Sequence, residues 1–242
     1  MDRIAGPSEA RDDPSNKGND MNVRTCRILI LLAVSVGVLA APVGASAATT
    51  VALWHMDESS GQMVDSSSSG NDGTLSNVTR VSPGYNGGGR AYSFNGSNSK
   101  VTVPNDSSLN PGSQNVTIKA HVKFSSRPSS SIGDYDLVRK QSNTAGTYKM
   151  EILITGKAFC RFAGTGGALS ITAGPDLSDN RWHTITCKKT SSSVTLTVDG
   201  ASFSRSGSVG SISSSIVLVL GAKPTGGDWH KGLMDEVSIV FG

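Results

Sequence analysis

The sequence is short of aromatic residues, cysteine and charge. Aromatics make up 5% of 242 residues, which argues against a large stacking platform for a sugar polymer. Lysine and arginine number 22 against 19 acidic residues, and no basic stripe exists, so nucleic acid is not an expected partner. G-x-S-x-G, H-E-x-x-H and C-x-x-C are all missing, as is a phosphate-cradling glycine loop ahead of a helix. Gly164-Thr165-Gly166-Gly167-Ala168 has neither the lysine nor the helix and reads as a flexible turn. Apolar residues nowhere recur with helical period, so no helix is predicted.

The longest hydrophobic run is Ile28 to Ala41, about 14 residues, shorter than the roughly 20 a membrane-spanning helix needs. Arg24 and Arg27 precede it and Ala45-Ser46-Ala47 follows, the pattern of a secretory signal peptide over residues 21–47. A retained anchor is the alternative. Residues 1–20 are polar and aperiodic, and read as a mis-assigned or disordered extension. The expected mature chain, residues 48–242, is long enough for one core, and no second domain or stable membrane insertion is expected. The expected location is extracellular.

Period-two alternation runs through this mature part. Val116, Ile118, Ala120, Val122 and Phe124 alternate with Thr117, Lys119, His121 and Lys123, giving one face to a core and one to water. Val194, Leu196 and Val198 repeat the pattern, and Asp199-Gly200 suits a two-residue hairpin turn with the next strand near Ala201. VALWHM, RAYSFN, KVTVP, DLVRK, MEILI with Met150, Ile152 and Ile154 alternating, AFCRF, IVLVL and LMDEVSIVF supply further short strands between turn signals. The fold class is therefore all-β, a two-sheet antiparallel sandwich.

Cys160 and Cys187 remain after signal cleavage, and an even pair in an exported chain reads as a disulfide, with zinc a poor competitor. The bridge forms if the AFCRF strand lies next to WHTITC. Trp182 is placed to cover the end of the core, and His183 shares the face of Ile185 and Cys187 as a packed structural residue.

The ordered set LWHMDESSGQMVDSSSSGNDGT, GGRAYSFNGSNSKVTVP, VTIKAHVKF, DLVRK, YKMEILITG, DNRWHTITC, VTLTVDG and LGAKPTGGDWHKGLMDEVSIV resembles the laminin-G-like, concanavalin A-like jelly-roll family of bacterial exported proteins. The resemblance spans Thr50 to Phe241 and implies that the first and last strands lie close together. It also implies a structural calcium ion held by Asp57 and Asp235, with Glu58, Asp65 and Glu236 as helpers. Carbonyls or waters complete such a site, because calcium takes six to eight oxygens.

A glycosidase needs two carboxylates facing one cleft. Asp235 and Glu236 are adjacent, hence expected on opposite faces, and Glu151 stands alone, so no catalytic residue is assigned. The expected role is recognition or adhesion outside the cell, with a glycan or an extracellular protein as partner. The candidate ligand residues are Trp229 and His230 in GDWHKG, with Tyr135 and Tyr85 as weaker ones. The alternatives are a structural or protein-binding envelope domain with no small ligand and, less favoured, a polysaccharide-active enzyme.

Overall fold

A computed structural model describes residues 47–140 and 144–242. The predicted extension and signal segment lie outside the described residues apart from Ala47. Among the described residues, no helix is long and apolar enough to cross a membrane.

The alternating segments form strands. In chain order they are β1 (Thr49–Trp54), β2 (Thr74–Ser76), β3 (Thr79–Val81), β4 (Ala91–Asn95), β5 (Lys100–Val103), β6 (Val116–Lys123), β7 (Tyr135–Lys140) and β8 (Thr147–Ile152). There follow β9 (Ala158–Gly164), β10 (Gly167–Ala173), β11 (Trp182–Lys189), β12 (Ser193–Val198), β13 (Ala201–Ser206), β14 (Leu218–Leu220) and β15 (Lys231–Phe241). Helical structure among the described residues is confined to two 3-10 turns, Tyr85–Gly87 and Ser107–Leu109.

Two antiparallel sheets result, as the alternation predicts. One has eight strands, ordered β13-β12-β11-β6-β15-β4-β3, with β1 also on β15. The other has seven, ordered β10-β9-β8-β7-β14-β5-β2. β15 is the hinge of the first: it pairs with β6 along one edge, and with β4 and then β1 along the other. The first and last strands are thus neighbours. Asp199 and Gly200 adopt φ of 48° and 87°, the two positive values the predicted hairpin turn requires.

The core is one cluster between the sheets, built from the alternate residues of each strand. Eight of the thirteen aromatic residues are buried. Each such side chain contributes about 1.5–3 kcal/mol. Their polar tips are satisfied: Trp54 Nε1 donates to Asn71 O at 2.8 Å, and the Tyr148 hydroxyl to Leu109 O at 3.0 Å.

Cys160 and Cys187 are joined, with Cα atoms 5.7 Å apart. They are not in neighbouring strands of one sheet, as the sequence suggested. β9 pairs with β8 and β10, and β11 with β12 and β6, so the bridge crosses the core from sheet to sheet. Both cysteines occupy inward positions, a property that alternation shows without saying which sheet each strand joins. The segment from Gly164 is also more ordered than predicted, because it turns β9 directly into β10, with Gly167 paired to Gly164.

Candidate functional site

Eight buried rings leave five aromatics: Tyr85, Phe159, Trp182, Phe203 and Trp229. Two of these meet. Trp182 opens β11 on the face away from the core, because His183 takes the inward position. It therefore does not cap the core. Its ring lies edge-on to Tyr85, with centroids 5.8 Å apart. Tyr85 in turn stacks on His121 of β6 at 3.7 Å and 25°.

Tyr85 and His121 line a depression of about 340 Å³ on the outer face of the eight-stranded sheet, with Leu53, Asn86, Lys119, Glu236 and Ser238, and Trp182 stands behind Tyr85. Binding pockets for small ligands have volumes of about 300–1,000 Å³ and combine apolar walls with a few placed polar groups. His121 Nδ1 is 2.9 Å from Thr184 Oγ1. Burial, helped by the charge of Lys119, pulls the His121 pKa down to about 4, so the imidazole is neutral near neutral pH.

The loop that carries Tyr85 is fixed from both sides by carboxylates. Asp57 Oδ1 accepts from Arg90 N at 2.6 Å, and Asp235 Oδ2 from Tyr85 N at 2.7 Å. A Cβ on Gly84 would stand 2.3 Å from Arg90 O and 2.7 Å from Asp235 Oδ2, and one on Gly89 would stand 2.0 Å from Asp57 Oδ1. Only glycine lets the chain pass there. Asp235 is buried, and burial pushes its carboxyl up to about 6, against the two N–H bonds it accepts and with the charges of Glu236 and Asp57 adding to the rise. The two carboxylates predicted for calcium therefore flank one loop, beside a main-chain carbonyl. Carboxylate and carbonyl oxygens are the donor type calcium takes, although Asp57 Oδ1 and Asp235 Oδ2 here each accept a main-chain N–H.

The proposed helpers have other partners. Asp65 accepts from Leu53 N and Asn71 N, and Glu58 from the Tyr92 hydroxyl and Val64 N. Glu236 sits 2.9 Å from His55 Nδ1. Glu236 does not point away from Asp235, as strict alternation would have it. A bulge in β15 between Asp235 and Ser238, with Glu236 at φ 48°, brings Glu236 to the depression on the outer face, where Asp235 lies opposite His121.

The residues singled out as ligand contacts are placed otherwise. Tyr135 is 1% exposed and His230 fully buried. They pack on each other at 5.4 Å and on Phe124, inside the sandwich. Neither offers a surface to a ligand. Burial takes the His230 pKa down to about 4. Trp229 is half-buried, its indole folded towards Gly226 of its own loop. His183 is the structural residue expected. It lies between Asp199 Oδ2 at 2.7 Å and Asp179 Oδ1 at 2.9 Å. Burial lowers its pKa, but the two carboxylates outweigh that and the net shift is upward.

A second polar cluster went unnoticed in the sequence. On the outer face of the seven-stranded sheet, oxygens of Asp136, Glu151 and Asp228 lie within 4.8 Å of one another. Arg139 Nη1 stands among them, 2.7 Å from Asp136, 3.0 Å from Glu151 and 3.7 Å from Asp228. The signal was there: Asp136 and Arg139 in β7 face Lys149 and Glu151 in β8, but charges alternating along a strand read as an ordinary wet face.

The family model described as the concanavalin A-like lectin/glucanases superfamily matches residues 94–240. No curated protein matches the sequence. Among solved structures, the chain resembles domains LG4-5 of the mouse laminin alpha1 chain at 18% identity and TM-score 0.51, covering 62% of this chain and 40% of that one. It resembles the botulinum neurotoxin serotype D binding domain at 16% identity and TM-score 0.58, covering 79% of this chain and 47% of that one. Domain 4 of AbnA, a GH43 extracellular arabinanase from Geobacillus stearothermophilus solved with arabinotriose, is 15% identical with a TM-score of 0.57, and the match covers 81% of this chain and 93% of that one. The chain thus spans less than half the length of the laminin and toxin structures, and at these identities the likeness is one of fold.

Proposed function

The chain belongs to the concanavalin A-like lectin/glucanases superfamily, and from that premise we propose that it is a secreted, non-catalytic recognition module whose ligand is a glycan. The observation that carries this reading is the Tyr85–His121–Trp182 group beside a polar depression. Sugars present an apolar C–H face and a rim of hydroxyls, and an aromatic edge next to Asn86, Lys119, Glu236 and Ser238 offers contacts to both. The arabinotriose complex of the arabinanase domain supports the choice of a glycan. Calcium at Asp57 and Asp235 would hold the loop that presents Tyr85, supplying charge neutralisation between two carboxylates. The signal-peptide pattern of residues 21–47 supports an extracellular setting.

A glycan array probed with the wild-type chain, Tyr85→Ala and Trp182→Ala tests the reading. Binding to a defined glycan class, weakened about tenfold or more in either variant, is the expected result. A wild-type chain that binds no glycan but captures an extracellular protein would replace this reading with the protein-binding one. Turnover of any polysaccharide would replace it with the enzymatic one. For calcium, thermal unfolding is compared with and without chelator. A drop in Tm in the wild type that Asp57→Ala removes is expected, and a chelator-insensitive Tm speaks against the ion.

A further inference from the structure

The cluster on the seven-stranded sheet contains one oxygen that the fold leaves without a donor. Asp136 and Glu151 stand opposite each other in β7 and β8, on the same face. Both accept from the same nitrogen of Arg139, at 2.7 and 3.0 Å. Lys149 also donates to Glu151, at the oxygen Arg139 already uses. Asp136 is fully buried, and its Oδ1 has no hydrogen-bond partner. An ionised oxygen so placed is costly, because Arg139, the cation between the two carboxylates, reaches only the other oxygen of Asp136. A metal ion is poorly suited to the role, because the guanidinium of Arg139 already occupies the point where the three acids converge. A proton needs no room.

We infer that Asp136 and Glu151 share a single proton at neutral pH, and that this proton latches the Gly-rich loop carrying Asp228 and Trp229. Asp228 ties that loop to the pair. Its carbonyl accepts from Asp136 N at 2.9 Å, its Oδ2 lies 2.7 Å from Lys223 Nζ, and it stands at φ 48°. A Cβ on Gly133 would come within 2.1 Å of its Oδ1, so the neighbouring loop is packed hard against it. Asp136 and Glu151 are held by strand ladders, whereas Asp228 lies outside the strands and is held by one main-chain bond to Asp136, by Lys223 and, at 3.7 Å, by Arg139. When the proton leaves, the two strand-borne charges repel each other and draw Arg139 to themselves. The loop-borne Asp228 then gives way.

The charged groups facing the pair come from every neighbouring element. β7 supplies Arg139, β8 supplies Lys149, and β9 supplies Arg161 across from Lys149. The loop before β7 supplies Asp134, whose charge reaches Glu151 and Asp228, and the Asp228 loop supplies Lys223. β14 places only Val219 opposite Arg139. The titration agrees with the geometry: burial, followed by the hydrogen bond and charge of Glu151, raises the Asp136 carboxyl well above the usual carboxylate range. The latch therefore opens as pH rises through that elevated value, not as it falls.

The test is the infrared band of a protonated carboxylic acid in the full mature chain, followed from neutral to alkaline pH. Trp229 emission is followed in parallel in a Trp182→Phe background, after subtraction of a Trp182→Phe/Trp229→Phe control that carries Trp54 alone. The expected result is a band in the wild type at neutral pH, lost together with a shift in Trp229 emission on alkalinisation. Asp136→Asn mimics the protonated acid and should remove both changes, keeping the neutral-pH emission throughout. No protonated-acid band in the wild type at neutral pH overturns the proposal. So does an emission shift that survives in Asp136→Asn. A saturable emission change on adding calcium that Asp136→Asn abolishes would make this a cation site instead. Should Asp136→Asn not fold, Glu151→Gln is read in the same way.

Discussion

The two outer faces of the sandwich each bury an aspartate beside a β-bulge, and they use it in opposite ways. In β15, Asp235 precedes the bulge and accepts two main-chain N–H groups, so it organises a loop and leaves a depression open beside it. In β7, Asp136 precedes a bulge before Val138, but its partners are a guanidinium and another acid, and the face is closed. The first face leaves rings and polar side chains around that depression. The second spends its polarity internally. A buried carboxylate is thus no marker of a binding site until its donors are known.

The largest effect should come from breaking the closed face. Arg139→Ala leaves Asp136 and Glu151 without their common cation, and a loss of about 3–5 kcal/mol in urea unfolding is expected. A loss as small as that of an exposed lysine would erase the distinction between the faces. Next comes the bridge across the core. Replacing Cys160 and Cys187 by serine opens a span of 27 residues and should cost about 3 kcal/mol by the same measurement.

Acid sharpens the comparison through the interior. His230 has its pKa lowered by burial to about 4, below the unfolded value of about 6.5. The unfolded chain therefore binds more protons across that interval, and stability should fall as pH drops from about 6.5 towards about 4. A His230→Phe variant that keeps the same acid slope would assign the loss elsewhere. His183 acts in the reverse sense and more weakly. Its raised pKa means that its contribution is complete below the unfolded value of about 6.5 and fades as pH rises through the folded one. His183→Gln should flatten that mild neutral-to-alkaline decline in Tm. Tyr85→Ala, on the open face, should change stability least of all while weakening glycan binding.

Alternation made most strands legible, because inward and outward residues of a half-buried strand differ in kind. Asp199-Gly200 fixed a hairpin by its backbone freedom alone. What alternation could not convey was partnership between distant strands. It put Cys187 on one face with Ile185 but expected the strand of Cys160 beside it. It could not foresee that one extra residue in β15 would bring Asp235 and Glu236 to the same side of the sheet. The site was harder still. Tyr135 and His230 sit among glycines and aspartates that mimic an exposed loop, yet their rings plug the core. Tyr85, in a similar glycine-rich setting, is the ring that meets Trp182, because Asp57 and Asp235 hold its loop over His121. Only contacts far apart in the chain separate the two cases.

The position of β15 has a consequence for assembly. As the chain emerges from its N-terminus, β1, β4 and β6 appear early, yet they share no partner until the eleven residues of β15 arrive between them. Knitting the eight-stranded layer must be one of the final events, dominated by ladders of high sequence separation and correspondingly slow. Until β15 is in place, β1, β4 and β6 have no strand in common to hold them in one layer.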